Sequence, residues 1–364
     1  RRTHKPEVSG SIPLPATIQM KKISFILLIT FALILCVDFL LGSFLLKFTP
    51  KKINHTIGHS VFDHNLKKNF KANLEWAPGK TYLFCSDNNS FRTFCNNMAS
   101  DSKDFDIGFI GDSFTEGVGL DYKDTFVGKI SKHFDKLKIA NLAVVSYSPS
   151  IYYTKLNYLI DNGYKFDRVI IFFDISDIYD DNKKYKFKDN KIIRKKSKLL
   201  SNIQKSLKSA FPFLAYSIKD LKDNFFKKKK VLNQCDYLDY CHEKSSWTFN
   251  GQYFGSSEIT KSFEFMEMTY ELLMKNNIKM SVGIYPWPAQ IMHDNQDSKI
   301  VKLMSDFCQK RCEFFFNNFK DFFKETKDID KKEIISKYYI DGDVHFNSLG
   351  NEVLYQNFLK NFIN

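Results

Sequence analysis

Glycine and proline are scarce, with 15 Gly and 9 Pro among 364 residues, which excludes a low-complexity chain. No C-x-x-C pair is present. Beyond Cys36 the cysteines fall as Cys85/Cys95, Cys235/Cys241 and Cys308/Cys312. Those spacings fit a tetrahedral zinc site poorly, so neither a metal nor another cofactor is expected. A nucleic-acid reader motif is also lacking, so nucleic acid is not an expected partner. One long run is almost without charge, Ile23 to Leu46, broken only by Asp38, and no A-x-A site succeeds it.

About 20 apolar residues cross a bilayer as a helix. A cleaved signal peptide has a shorter apolar core, about 7–15 residues, and a small-residue cleavage site. The run therefore reads as an uncleaved anchor, residues 20–46, with a cleaved signal as the competing reading. Residues 1–19 share nothing with the rest of the chain; Met20-Lys-Lys is the expected true start and 1–19 an upstream leader. A mid-membrane Asp costs about 2.5–3.5 kcal/mol. Asp38 lies past the midpoint and is expected to lean toward an interface. Lys21 and Lys22 on one side face Lys47, Lys51 and Lys52 on the other, so lysines do not set the orientation. The cysteines do: locally paired cysteines beyond an anchor suggest disulfides in an oxidising compartment. The expectation is a single-pass inner-membrane protein with its main domain in a periplasm-like space. His55, His59 and His64 are expected to be juxtamembrane surface residues.

Beyond a lead-in, residues 47–104, strand and helix alternate. Strands are expected at DIGFIGDS, KIANLAVV (138–145), RVIIFFDI (168–175) and KMSVGIYP (279–286). Helices are expected at 124–136, 150–162, 257–276, 298–315 and 348–362. The near-continuous apolar run at 168–175 suits a parallel strand covered on both faces. The pattern argues for a parallel sheet between helical layers over 105–364.

Within this domain FIGDSFTEGVG, Phe109 to Gly119, ends the first strand on a serine. In such sheets ligands bind at the carboxyl ends of strands, where Ser113, Asp174 and Pro286 fall. A serine hydroxyl becomes a nucleophile when a base, usually histidine, is oriented by a carboxylate. Of eight histidines, His345 sits in the most suitable setting, YYIDGDVHFNSLGNEVL, with Asp341 and Asp343 before it. The plainer reading makes His345 a loop residue capping the next helix.

GDSFTEG resembles block I of the SGNH (GDSL-type) esterase superfamily, and GDVHFN is similar to that superfamily's last block. The resemblance covers roughly Asp106–Phe362 apart from an insertion. It implies a flavodoxin-like three-layer α/β/α sandwich and serine ester chemistry without a metal. Ser113 maps as nucleophile and His345 as base, with Asp112 supporting. The second block is Asn followed five residues later by a Gly whose N–H serves the oxyanion hole; here Asn141 is followed by Ser146, which keeps an N–H. The third block, G-x-N-D, is replaced by DISD, placing Asp174, Ser176 and Asp177 at its Gly, Asn and Asp positions. Ser176 then stands as oxyanion donor beside the N–H groups of Ser113 and Ser146. The last block usually reads D-x-x-H; here Asp343, at D-x-H, is favoured over Asp341.

The expected function is a membrane-anchored serine ester hydrolase acting on a carboxylic, O-acetyl ester. Alternatives are an O-acyltransferase on a cell-envelope glycan with the same site, or a non-catalytic relative binding glycan or lipid. A phosphate-cradling loop of a flavodoxin-like cofactor protein leaves His345 unexplained.

The insertion, residues 181–256, carries the charge. From Asp181 to Lys230, 16 Lys and one Arg face four Asp, a net +13 that equals the charge of the whole chain. Leu200, Ile203, Leu207, Phe211, Leu214, Ile218, Leu221 and Phe225 recur at helical spacing, with Pro212 splitting the pattern. Such a stretch, 197–230, either lies on an anionic membrane surface or packs on the domain with its lysines solvated. The expected partners are thus a small-molecule or glycan ester and the membrane.

Overall fold

The computed structural model describes residues 16–48, 53–77, 80–195, 206–230, 244–251 and 254–363. Most of the expected leader, Leu200, Ile203, Cys235 and Cys241 lie outside the described residues. The chain divides into two compact units: Arg1–Lys51 with Ser197–Lys227, and Lys52–Lys196 with Lys228–Asn364.

In the first unit the helix Ala16–Leu45 runs into a 3₁₀ turn, Leu46–Phe48. Its stretch Lys21–Phe48, with a mean hydropathy of 2.7, is long and apolar enough to cross a membrane. Asp38 does not lean outward as expected. Only 3% exposed, it accepts the backbone N–H groups of Phe213 (2.9 Å) and Leu214 (2.6 Å). These open the helix Pro212–Lys230. The first N–H groups of a helix have no partner within it and carry its positive dipole end, so a carboxylate is the matching acceptor. Gly42 makes room: a Cβ there would come 2.0 Å from Asp38 Oδ1 and 3.1 Å from Pro212 Cγ. As expected, the amphipathic pattern breaks at Pro212, with a bend at Phe211.

The second unit begins with two antiparallel hairpins, β1 (Thr56–His59) with β2 (Asp63–Leu66), and β3 (Lys71–Ala77) with β4 (Lys80–Cys85). The main sheet holds β5 (Asp104–Ile110), β6 (Ile139–Asn141) and β7 (Lys165–Phe173). A third hairpin, β8 (Tyr185–Lys188) with β9 (Lys191–Arg194), precedes β10 (Lys279–Ile284) and β11 (Phe315–Asn317). The sheet order is β11-β10-β7-β5-β6, all parallel. In order along the chain this is 2-1-3-4-5, the flavodoxin-like arrangement. Alternate residues of a strand face opposite layers: Phe172 meets Phe126 of the helix Phe126–His133, whereas Phe173 meets Phe263 of the helix Ser256–Lys275. The near-continuous apolar run of β7 is thereby explained.

Three expectations are corrected. The strand expected over 138–145 stops at Asn141, because the Asn141 side chain accepts the Ala143 N–H and turns the chain out of the sheet. The helix expected over 298–315 ends at Cys308, which bonds to Cys312, and Phe315–Asn317 forms an edge strand. The start of the basic insertion is not helical throughout: Asp189 and Asn190, at φ of 51° and 54°, make the tight turn between β8 and β9. Asp and Asn tolerate that left-handed conformation better than most residues. Cys85 and Cys95 also pair.

Candidate active site

The chain leaves β6 on one side of β5 and returns to β7 on the other. The crevice at this reversal, outside the carboxyl ends of β5 and β7, is where open α/β sheets bind ligands. Gly111 succeeds β5 at a point with no room for a side chain: a Cβ would lie 2.3 Å from Thr115 Oγ1 and 3.0 Å from Phe172 O. Asp112 then caps the short helix Ser113–Glu116 by accepting the Phe114 N–H at 2.9 Å, and Gly117, at φ 83°, ends it. The result is a sharp turn carrying a buried serine at its tip.

Ser113 Oγ lies 2.8 Å from His345 Nε2, and His345 Nδ1 lies 2.8 Å from Asp343 Oδ1. Asp343 Oδ1 also accepts the Val344 N–H at 2.6 Å, while Oδ2 accepts the indole N–H of Trp76 from β3. Asp341 is exposed, and among the described residues it makes no hydrogen bond to the imidazole. Gly342, at φ 71°, makes the turn that brings Asp343 round to the ring. The cap of the last helix, Ser348–Phe362, is Asn347, which accepts the Leu349 and Gly350 N–H groups. His345 is therefore not needed for capping.

Burial alone would raise the Asp343 carboxyl, but the charge and hydrogen bond of His345, with the bond from Trp76, hold it well below the usual range. Burial alone would lower His345, yet the charge and hydrogen bond of Asp343 outweigh it and raise the imidazole above 6.5.

Ser146 takes up the left-handed conformation, φ 64°, which glycine adopts without strain. This accounts for a glycine at the matching position of the SGNH second block. Here the conformation is held from outside: the Ser146 carbonyl accepts from Tyr185 Oη at 2.7 Å, and the Val145 N–H donates to Glu116 Oε2 at 2.6 Å. Asn141 donates to the Thr115 carbonyl at 2.9 Å, so the Ser146 loop is tied to the Ser113 turn. Among the described residues, neither the Ser113 nor the Ser146 backbone N–H donates a hydrogen bond.

Ser176 lies just beyond β7. Its N–H donates to Asp174 Oδ1 at 2.7 Å. The indole of Trp287 donates to Asp174 Oδ2 at 2.6 Å. The aspartate in place of the block's glycine thus has its own partners, Ser176 and Trp287. Asp177, fully buried, accepts from Tyr152 Oη at 2.9 Å and from the Asp174 N–H at 3.2 Å. Burial, then the charge of Asp174, pushes the Asp112 carboxyl up to about 8. Burial raises Asp174 and Asp177 as well.

A cavity of about 370 Å³ brings together Ser113, Ser146, Ser176, Asp343 and His345 with Trp76 and Trp287. Of the supporting residues, Asp112 lines it, whereas Asn141 and Asp177 brace it from behind. Sequence reasoning missed Trp76, Trp287, Asp180 and Lys244 on its walls. It also placed His55 and His64 wrongly on the surface. His55 Nε2 pairs with the buried Glu116 at 2.9 Å, and His64 Nε2 donates to the Val145 carbonyl at 2.7 Å. His59 stacks on Phe62. The buried Glu116 carboxylate demands a partner, and its place inside GDSFTEG is the signal that could have found His55.

No protein-family model matches the chain, and no curated protein matches it. Solved structures are similar at low identity. LAE5, an alpha/beta hydrolase enzyme from the metagenome of Lake Arreo, Spain, is 12% identical, covering 70% of this chain and 94% of its own, with a TM-score of 0.38. A GDSL-like lipase from Bacteroides thetaiotaomicron is 11% identical, covering 71% and 86%, with a TM-score of 0.37. TesA is 10% identical, covering 70% and 96%, with a TM-score of 0.37. The parallel sheet in flavodoxin-like order, with helices on both faces, is the architecture that the resemblance of GDSFTEG and GDVHFN to SGNH esterases implied.

Proposed function

We propose that the chain is a membrane-anchored serine hydrolase of SGNH type acting on a carboxylic ester with a small acyl group such as acetyl. The observation that carries this reading is the continuous relay Ser113–His345–Asp343, at 2.8 Å for each step, facing two backbone N–H groups without acceptors. His345 takes the proton of Ser113 as Oγ attacks the ester carbonyl. Asp343 holds the imidazole tautomer and stabilises the imidazolium. The N–H groups of Ser113 and Ser146, with the Ser176 hydroxyl as third donor, meet the oxyanion. His345 then protonates the leaving alcohol, and an acyl-Ser113 remains. Water attacking that acyl group, with its proton passing to His345, completes hydrolysis; a glycan hydroxyl in place of water would make the same site an O-acyltransferase.

The Lys21–Phe48 helix would hold the protein in the inner membrane. The local disulfides Cys85–Cys95 and Cys308–Cys312 support an oxidising compartment for the catalytic unit, because such bonds persist outside the reducing cytosol.

Labelling with a fluorophosphonate probe tests the proposal. Wild type is expected to be labelled on Ser113, Ser113→Ala not at all, and Ser176→Ala about tenfold more slowly. An unlabelled wild type would sink the enzyme in favour of a binding protein. A Ser176→Ala rate within about twofold of wild type would remove Ser176 from the oxyanion set.

A further inference from the structure

The loop after β6 is gripped by side chains of the lead-in that the proposed reaction does not use. Val145 and Ser146 share one peptide group, and in a trans peptide the carbonyl and the N–H point in opposite directions. Among the described residues the Ser146 N–H donates to no acceptor. Whatever holds the Val145 carbonyl therefore aims that N–H. The holder is His64, a buried residue of β2. Its Nε2 lies 2.7 Å from the Val145 carbonyl, and its Nδ1 lies 2.7 Å from Asp63 Oδ2. Arg194 of β9 donates to the same Asp63 oxygen at 2.5 Å. Burial would raise the Asp63 carboxyl, but hydrogen bonds from His64 and Arg194 bring it down to about 2. A carboxylate on one side of the ring and a carbonyl on the other both accept, so both ring nitrogens donate.

The groups on either side of this peptide are held as well. The Val145 N–H goes to Glu116 Oε2 and the Ser146 carbonyl to Tyr185 Oη. Tyr147 Oη donates to the His64 carbonyl at 2.7 Å, so β2 and the loop are joined in both directions. A tie that only fastened two segments could end on any carbonyl of the loop. This one ends on the carbonyl whose own peptide N–H is the one assigned to the oxyanion. Hydrogen bonds in series polarise one another, so a donor on the Val145 oxygen also makes the Ser146 N–H a stronger donor. We infer that His64 is a positioning residue of the oxyanion hole, aiming and polarising the Ser146 N–H through the Val145–Ser146 peptide. Asp63 and Arg194 orient its ring. His64 is not among the residues lining the cavity and acts on the reaction only through that peptide. This rests on the hydrolase reading above and adds a residue to its machinery.

Two readouts on the full chain in detergent test it. The first is hydrolysis of p-nitrophenyl acetate. His64→Leu is expected to lower kcat about tenfold or more with KM within about twofold, because the lost bond acts on transition-state charge. His64→Gln, whose amide keeps an N–H donor, is expected to bring kcat back to within about threefold of wild type. A His64→Leu kcat within about twofold of wild type, or a His64→Gln kcat no better than that of His64→Leu, overturns the role. The second readout needs no turnover. In protein labelled with ¹⁵N-serine, the Ser146 amide is identified by its loss in Ser146→Gly. Its nitrogen resonance is expected to move upfield in His64→Leu and to stay near wild type in His64→Gln; a resonance that His64→Leu leaves in place overturns the role. If wild type fails to label with fluorophosphonate while the Ser146 resonance still follows His64, the hydrolase reading falls and the coupling of His64 to the Ser146 N–H stands.

Discussion

Each of the two units buries carboxylates in apolar surroundings, and each solves the problem differently. In the first, Asp38 on the apolar helix meets the two opening N–H groups of the helix Pro212–Lys230. In the second, Asp112, Asp174 and Asp177 crowd beneath Ser113 with hydroxyl, indole and backbone donors; burial raises all three carboxyl pKa values, and the charge of Asp174 adds to the rise at Asp112 and Asp177. A helix start supplies positive potential without any side-chain charge. Acids packed together keep their protons instead. One more acid, Asp343, goes the opposite way, because its neighbour is an imidazole that becomes cationic. Position relative to fixed dipoles and charges, rather than burial alone, decides what a buried aspartate does.

The largest expected effect breaks the Asp343 case. Asp343→Asn should lower kcat about 10⁴-fold, since the imidazole loses its orienting, stabilising charge. The acid limb of kcat/KM against pH tracks the neutral fraction of His345. Removing the charge that raises His345 should move that limb to lower pH. An unmoved limb would show that Asp343 does not act through the imidazole.

Asp112→Asn sharpens the crowded acids. Asp112 keeps its proton in the native state up to about 8, whereas in the unfolded chain it releases it near 4. Between those values the unfolded state binds fewer protons, so wild-type stability falls as pH rises. The melting temperature of the wild type relative to Asp112→Asn should drop by about 5 °C or more from pH 5 to pH 8. A gap constant with pH would mean that Asp112 ionises normally.

Asp38→Leu tests the opposite solution, and its two effects differ in sign. On the proposed anchoring, loss of an acid from the apolar helix favours membrane insertion, but two helix-start N–H groups lose their acceptor, costing about 1–3 kcal/mol. In detergent micelles, tryptic cleavage within 206–230 should speed up about tenfold, with Asp38→Asn in between. Unchanged cleavage would show that the contact does not hold the helix.

Ser113 and His345 were legible because their signals are local: a glycine-flanked serine ending an apolar strand, and a histidine in a turn that bears aspartates; the choice of Asp343 over Asp341 came from the resemblance to SGNH esterases. The apolar run of β7 and the break at Pro212 were equally local. The other walls of the site were not. Trp76 lies 267 positions before its partner Asp343, and His55 lies 61 before Glu116. Three of the four short strands of the lead-in alternate too weakly to register, and Phe315–Asn317 has too few residues to show any period. Asp180 and Lys244, one just before the charged insertion and one within it, look like ordinary charged residues until the fold brings them to one cavity.

The sequence by itself determined a helix long and apolar enough to cross a membrane, the alternation that builds a parallel sheet, and the residue types of the Ser113–His345–Asp343 relay, because side-chain periodicity and turn residues act over a few positions. Only the tertiary structure decided that Asp38 receives a helix start, that Ser146 is held left-handed by Tyr185 and Glu116, and that Asp180 and Lys244 share the cavity with Ser113. Those outcomes depend on which distant segments meet, and burial then dictates the partners: a polar group withdrawn from water must find one wherever the packed chain provides it.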